Sequence, residues 1–509
     1  MRSRVPGERD TRDSPGRLMV SESAVLNGLE PRACWLHFEG LTRIARPSRH
    51  EERVIEHVRA WASGNDFDLR QDAARNVVVR VPATVGRESA PVLVLQGHLD
   101  MVCERRADSP YDPADGRIAL RRDGDWLTAD GTTLGADNGI GIAAMLALAE
   151  DRSAAHGPLE LLMTVNEEIG GPGEGASGLD PSLVSGTTLL NLDSEVDGSL
   201  TVGSASSTDS SIRVEKSREA CGTGAVTLSV SVSGGLGGHS GTDIAHGRAN
   251  AVKVLGRALR ESFAVAPFRL VSVQGGKSWN AIPRDASAVC SVPPEREAAF
   301  RAAVGASAAA ISDAYANTDP AVTVTVAGAS GATDAWSADG TRDLLDLIAV
   351  VPTGPLAMSA DFEGLVETST SIGEASTDGA MLTLHSLSRS SNASALPDVV
   401  AALDASARLA GGLLGIGQVD PGWRPDLDSP VLDVSRRVYE RLFGEAPVVT
   451  AVHAWLETAV IGDRVPGLDM LSFGPQIEAP HSPDERVSIP TVERFWRLLR
   501  VVVDELSGE

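Results

Sequence analysis

Apolar runs of strand length recur through the first part of the chain, and each ends on a histidine or an acid. Residues 91–95, PVLVL, lead into QGHLDMV; residues 159–165, LELLMTV, lead into NEEIG; residues 187–192, TTLLNL, lead into DSE. Such runs show no polar alternation, so they predict strands buried on both faces, as in a mixed or parallel sheet. Residues 76–81 predict a further strand. From 35 to 61 the apolar positions fall at helical spacing, interrupted by the turn ARPSRHEE, in which Ser48 is placed to cap a helix presenting Val54, Ile55 and Val58. Residues 132–150, TTLGADNGIGIAAMLALAE, predict a glycine-rich turn running into an Ala/Leu helix. Near the other end, a short apolar strand, a Pro-rich loop and a last helix over residues 490–506 are expected.

The middle of the chain reads differently. From 206 to 402 the pattern shows alternating strands such as 226–232, long Ala-rich stretches and no acidic strand ends. This predicts an inserted second domain, with residues 30–205 and 403–509 folding together as the first. The expected class is α/β: a mixed, mainly parallel sheet flanked by helices, plus an inserted α+β domain. Residues 1–29 are rich in Arg, Ser, Pro and Gly, carry Glu8, Asp10 and Asp13, and have no apolar h-region. They are expected to form a disordered extension and not a secretion signal.

Composition narrows the function. With 509 residues, 42% hydrophobic and 22% charged, the chain has the make-up of a soluble globular enzyme. Its apolar runs are far too short to span a membrane. The net charge of -24 argues against nucleic acid or an anionic membrane as partner, since both need a basic surface. Cys34, Cys103, Cys221 and Cys290 are scattered and form no CxxC pair, as expected for reduced thiols in the cytoplasm.

The candidate chemistry sits at the strand ends. Glu167 and Glu168 are adjacent like charges at the mouth of a buried strand, where a metal ion is the least costly way to offset them. An isolated EE is ordinarily a solvated loop, so the other acids and histidines decide. His98 and Asp100 lie two apart and face the same way on an extended segment, a spacing at which a carboxylate supports a metal-binding imidazole. Asp137 precedes the Ala/Leu helix, where alone it would be a cap or turn residue. Asp193 and Glu195 end the next strand, and His481 lies in the late Pro-rich loop. Ligands of α/β sheets gather at such ends. In the inserted region a Gly-rich turn presents His239 ahead of a helix with Ala251, Val254, Leu255, Ala258 and Leu259 on one face. A rival motif, Gly173, Gly175 and Gly178 with Asp197, fits a dinucleotide fingerprint in spacing only, because the segment after the glycines offers one short helix, with Pro181 in its first turn.

In the order QGHLDMV, TTLGADNGIG, NEEIG, LLNLDSE, GGHSG, NAIPR, GLVETS, PGWRPDLDSP and GPQIEAPHSPDE, these blocks resemble the aminoacyl-histidine dipeptidases. These are also called Xaa-His dipeptidases, peptidase D or β-alanyl-histidine dipeptidases, and are relatives of peptidase T and the aminoacylases among two-zinc exopeptidases. The resemblance runs from about Trp35 to Leu506. It implies two Zn2+ per chain, with Co2+ or Mn2+ as substitutes: His98 and Asp193 on one ion, Glu168 and His481 on the other, and Asp137 bridging. It also implies that Asp100 supports His98 and that Glu167 is the general base acting on a metal-bridging water. Three carboxylates and two neutral imidazoles leave residual positive charge to acidify that water, and a base that is not a ligand must stand beside it. Residues 206–402 become a lid and dimerisation domain, His239 an oxyanion donor that related enzymes can take from the partner subunit, and Arg389 and Asn280 contacts to the substrate, Arg389 through its carboxylate. A homodimer is implied.

The departures lie on the substrate side. Trp279 stands where the family has Arg before NAIP, HAWLETA at 453–459 puts Trp455 in place of a glycine, SASS at 204–207 replaces a CAGG-like segment, and GGPGEGASG after the glutamates is longer than usual. The expectation is therefore a cytoplasmic metallo-dipeptidase of the Xaa-His type. Two alternatives stand beside it: a broader dipeptidase or N-acyl amino acid amidohydrolase, and a noncatalytic metal- or peptide-binding homologue.

Overall fold

A computed structural model describes residues 24–169 and 173–508. The expected disordered extension falls outside the described residues as far as residue 23, and so does the start of the GGPGEGASG insertion. Residues 24–29 belong to the fold instead: Ala24–Leu26 make a 3-10 turn, and Leu26 and Leu29 are buried. The described residues form two compact units. One takes those up to Leu200, with Asp428–Val448 and Arg464 onward; the other takes Thr201–Leu427 and Val449–Asp463. The second unit extends past residue 402 because the strand Leu413–Asp420 pairs antiparallel with Ser206–Glu215.

In the first unit the apolar runs become a central parallel group. Leu93–His98 pairs in parallel with Leu159–Thr164 on one side and Thr188–Asn191 on the other, and Asp469–Ser472 adds in parallel to Thr188–Asn191. Val77–Val81 and Asp68–Gln71 extend the sheet antiparallel beyond Leu159–Thr164. Both Leu93–His98 and Leu159–Thr164 are buried at every position, as strands covered on two faces must be. Four parallel strands share one carboxyl edge, and His98, Glu167, Glu168 and Asp193 all emerge there.

Helices cover this sheet. Ala136–Glu150 is buried from Ala136 through Leu148 and is apolar all round, the mark of a core helix. Arg32–Leu41 packs on it. Glu52–Gly64 begins with no side-chain cap, and Ser48 instead turns toward the sheet, where its hydroxyl donates to Asp100 Oδ2 at 2.7 Å. Pro430–Phe443 is capped by the Ser429 hydroxyl and packs on the last helix, Ile489–Leu506.

The second unit is a nine-stranded sheet with helices on it. Its strands include Val226–Ser233, Ala286–Val292, Arg269–Gly275, Val366–Asp378, Met381–Ser390, Ser206–Glu215 and Leu413–Asp420, hydrogen-bonded in that order and antiparallel throughout. Ala251–Val265 begins at Asn250, whose side chain accepts from the N–H groups of Val252 and Lys253. It buries Val254, Leu255, Ala258 and Leu259 against the sheet and Phe300. Lys253 donates to the carbonyls of Ile348, Ala349 and Val351, closing the end of Ala338–Val350 with a positive charge where the helix dipole favours one.

Candidate metal centre

The carboxyl edge of the first sheet gathers His98, Asp137, Glu167, Glu168 and Asp193, and the loop after Ile477–Glu478 adds His481. Among the described residues, three sets have ligand atoms within 4.8 Å of one another: His98, Asp137 and Asp193; Asp137, Glu168 and His481; and His98, Glu167 and Glu168. His98 Nε2 lies 2.9 Å from Asp137 Oδ1 and 3.5 Å from Asp193 Oδ1. His481 Nε2 lies 3.1 Å from Asp137 Oδ2 and 2.8 Å from Glu168 Oε2. Asp137 therefore turns one oxygen toward each imidazole.

Four acids crowded around two imidazoles need cations. Burial disfavours a charged His98 ring, yet Asp193, with hydrogen bonds to Asp100 and Asp137, raises its pKa well above the usual value. Hydrogen bonds to Asp137 and Glu168 push His481 up to about 11. Burial and the charges of Asp137 and Asp193 push Glu195 up to about 8. Glu168 Oε1 is buried with no hydrogen-bond partner, and buried Asp193 Oδ1 and His98 Nδ1 have only long contacts, 3.5 Å to His98 Nε2 and 3.4 Å to Asp100 Oδ1. Such oxygen and nitrogen donors at this spacing suit a divalent ion of the zinc type, and unsatisfied carboxylate oxygens are costly without one. The glutamates also differ in setting. The Glu168 side chain is 3% exposed and that of Glu167 18%.

The supports were mostly hidden in the sequence. Asp100 does more than face His98: its carboxylate accepts from the backbone N–H of Glu167 at 3.1 Å and of Glu168 at 3.2 Å, tying the histidine strand to the glutamate pair. Buried Glu51 accepts from the N–H of Asn166 at 3.0 Å. It thereby holds Asn166 at φ 58, a left-handed turn that aims the two glutamates. His481 is itself left-handed, at φ 60. Non-glycine residues adopt this conformation uncommonly, Asn and His more readily than most, and here the surrounding bonds hold it.

Glu485 is the largest omission. Its buried carboxylate accepts from the N–H groups of Leu134, Gly135 and Ala136 at 2.7, 2.9 and 2.7 Å and from that of Asp137 at 3.4 Å. Burial pushes its pKa up to about 7 against those bonds. Arg46, equally buried, donates to the carbonyls of Leu99, Asp100 and Gly135. Position 135 must be glycine: φ is 70, and a Cβ would sit 2.5 Å from Arg46 Nη2. Glu485 and Arg46 together fix the turn that delivers Asp137. Only the last letter of EAPHSPDE hinted at it. Glu485→Ala should leave buried N–H groups unpaired and weaken metal binding about 10–100-fold, measured by metal titration, as loss of an outer-shell support does.

The remaining candidates belong to the second unit. His239, on the short strand Gly238–His239, and Asn280 line a cavity of about 880 Å³. Asn280 Oδ1 accepts from the Ser278 hydroxyl. His239 Nδ1 accepts from the backbone N–H of Gly241 and Thr242 at 3.3 and 3.1 Å, which puts the ring proton on Nε2. Burial and the charge of Arg389 lower its pKa to about 4, so the ring stays neutral. Arg389 Nη2 lies 3.3 Å from that same Nε2. With the ring proton on Nε2 both groups are donors, so neither satisfies the other. The glycine fingerprint leads nowhere: Gly175–Gly178 and Pro181–Leu183 are 3-10 turns, and Asp197 pairs with Arg494.

A parallel sheet with a shared carboxylate between two histidine–acid sets defines a metallohydrolase site. Residues 94–505 match peptidase family M20/M25/M40, and the chain belongs to that family. It is 36% identical to the "Cytosol non-specific dipeptidase" of Escherichia coli (strain K12) over 484 residues, 95% of this chain and 99% of the relative. It is 35% identical to the crystal structure of aminoacylhistidine dipeptidase from Vibrio alginolyticus, with a TM-score of 0.86 over 95% of this chain and 98% of that one. The aminopeptidase PepT from Bacillus cereus ATCC 10987 shares the fold, with a TM-score of 0.58 at 16% identity over 94% of this chain and 99% of that one.

Proposed function

We propose that the protein is a dizinc dipeptidase that cleaves dipeptides bearing a free C-terminal carboxylate, with Glu167 as general base. The observation that carries this reading is the sharing of Asp137: His98 and Asp193 would hold one ion, Glu168 and His481 the other, with Asp137 between them. Co2+ or Mn2+ would serve the same oxygen and nitrogen donors. When bound, the ions supply Lewis acidity to the scissile carbonyl and lower the pKa of the attacking water. Glu167, the more exposed of the pair, accepts the proton of that water and passes it to the leaving amine. Asp100 keeps His98 and both glutamates in register through its backbone bonds. His239, neutral and protonated on Nε2, donates to the developing oxyanion, and Arg389 and Asn280 hold the substrate.

The relatives' names include both an aminoacylhistidine dipeptidase and a non-specific dipeptidase. This supports Xaa-His dipeptides as substrates within a wider dipeptide range, and Trp279, in place of the family's Arg, removes one cationic contact that would narrow it. Cytoplasmic location follows the E. coli relative's name; among the described residues no helix is long and apolar enough to cross a membrane. The homodimer is carried by the family resemblance. The test is a panel of Xaa-His, β-Ala-His and non-His dipeptides offered to protein of measured metal content. Hydrolysis of both His and non-His members is expected. Inertness of the metal-loaded protein toward every member would instead establish the noncatalytic binding homologue.

A further inference from the structure

His453 lies in HAWLETA, a segment that differs from the family pattern at three places, and the proposed mechanism gives it no part. It is 4% exposed, and its Nε2 is 2.8 Å from the Ser369 hydroxyl. Its Nδ1 is buried with no partner, and so is Arg389 Nε. Both residues crowd the same spot: a Cβ at Gly241 would fall 2.2 Å from the His453 carbonyl oxygen, 3.0 Å from His239 Cε1 and 3.1 Å from Arg389 Nε. Glycine at 241 thus lets the His453 backbone carbonyl, the His239 ring and the Arg389 guanidinium close on one point, with no room for a side chain.

The sheet sets this cluster in register. Ser369, Arg389, Ser207 and Asp420 are direct cross-strand partners on four neighbouring strands, so their side chains share one face. Asp420 accepts from the Ser207 hydroxyl at one end of the row, and Ser369 holds His453 at the other. Arg389, 5% exposed, makes no direct ion pair among the described residues, and Asp420, two strands away in the row, supports its charge only from a distance. A buried guanidinium without a carboxylate in contact is costly, and a second anion beside it is the group to look for.

The tautomer of His453 follows from what remains unpaired. With the Ser369 hydroxyl donating to Nε2, Nδ1 carries the ring proton and has no partner among the described residues. Burial, with the charges of Arg389 and His239, lowers the His453 pKa to about 4, so this donor is neutral.

Building on the dipeptidase reading, we propose that His453, positioned by Ser369, is a substrate-binding residue that donates from Nδ1 to the C-terminal carboxylate held by Arg389. A hydrogen bond to a charged group of this kind is worth about a tenfold to hundredfold effect. The experiment compares β-Ala-His with its C-terminal amide on the metal-loaded full chain. For His453→Ala, kcat/KM for the free acid falls about tenfold to hundredfold, mostly through KM. Its kcat/KM for the amide stays within about twofold, because the charge is gone. His453→Asn, whose amide nitrogen takes the place of Nδ1, restores most of the loss, and Ser369→Ala gives a smaller loss with the same preference. A merely structural role would lower both substrates together, and that outcome overturns the proposal even if the variant is poorly folded. Calorimetry in the Glu167→Gln background reads binding without turnover. If wild-type protein cleaves neither compound, the dipeptidase reading fails; the carboxylate site then stands or falls on whether His453→Ala abolishes the preference for the free acid over the amide in that titration.

Discussion

Glu167→Gln is expected to retain two metal ions per chain while kcat falls about 10³-fold, the scale of losing a positioned general base. At 1.36 kcal/mol per decade this is about 4 kcal/mol of barrier. The amide has nearly the same shape as the acid, so packing and the Asp100 bond to the backbone N–H of residue 167 persist. Neither function of the base survives, because a neutral amide neither accepts the water's proton nor returns one to the amine. The measurement is metal content by elemental analysis beside single-turnover rates. Its value lies in the rival assignment that the geometry permits, since His98, Glu167 and Glu168 also form a set with ligand spacing. If Glu167 were a ligand, the variant would lose metal along with activity, and the roles of the two glutamates would have to be exchanged.

That ambiguity shows what kind of information a sequence carries. The buried strands 93–98, 159–164 and 188–191 were legible because doubly covered strands have no polar alternation, and their parallel pairing follows from the same pattern. The core helix after Asp137 was legible for a similar reason. Ser48 was misread. A serine ahead of an apolar periodic segment has the pattern of a cap, but the Asp100 carboxylate, distant in sequence, competes for its hydroxyl. The second compact unit continues past residue 402 with no signal in the sequence, because Leu413–Asp420 is an edge strand with mostly exposed residues and no hydrophobic pattern joins it to its neighbour.

For the site, chemistry-bearing residues were easier to find than their supports. His98, Glu168 and Asp193 stand out as polar groups at the ends of apolar runs, whereas Asp137, in a glycine-rich turn, and His481, in a Pro-rich loop, are singled out only by the resemblance of their motifs. Glu485, Glu51 and Arg46 act on backbone groups, and a carboxylate that binds N–H groups looks in the sequence like any surface acid. Ser369 and Arg389 meet only through strand register, which no spacing within the chain reveals. In each case the information lies in long-range pairing.

Asp137→Ala is the complementary experiment, directed at the metal ions instead of the base. Wild-type protein should rise in thermal stability on adding Zn2+, by about 2.7 kcal/mol when free metal is a hundred times the dissociation constant. The variant should show no such rise and should hold fewer than two ions after dialysis, because the lost side chain is the only one whose two oxygens face both imidazoles among the described residues. Glu485 still binds the turn through its backbone, so the helix start is preserved and the comparison tests ligation and not folding. Asp137→Asn sharpens it. The amide keeps the volume and one neutral oxygen but supplies no charge, so it should behave like the alanine variant if Asp137 bridges two cations. Should Asp137→Asn keep both ions at wild-type affinity, the residue is a scaffold for the two histidines, and the ions would have to be held by Glu168 and Asp193 on separate sides with nothing shared between them.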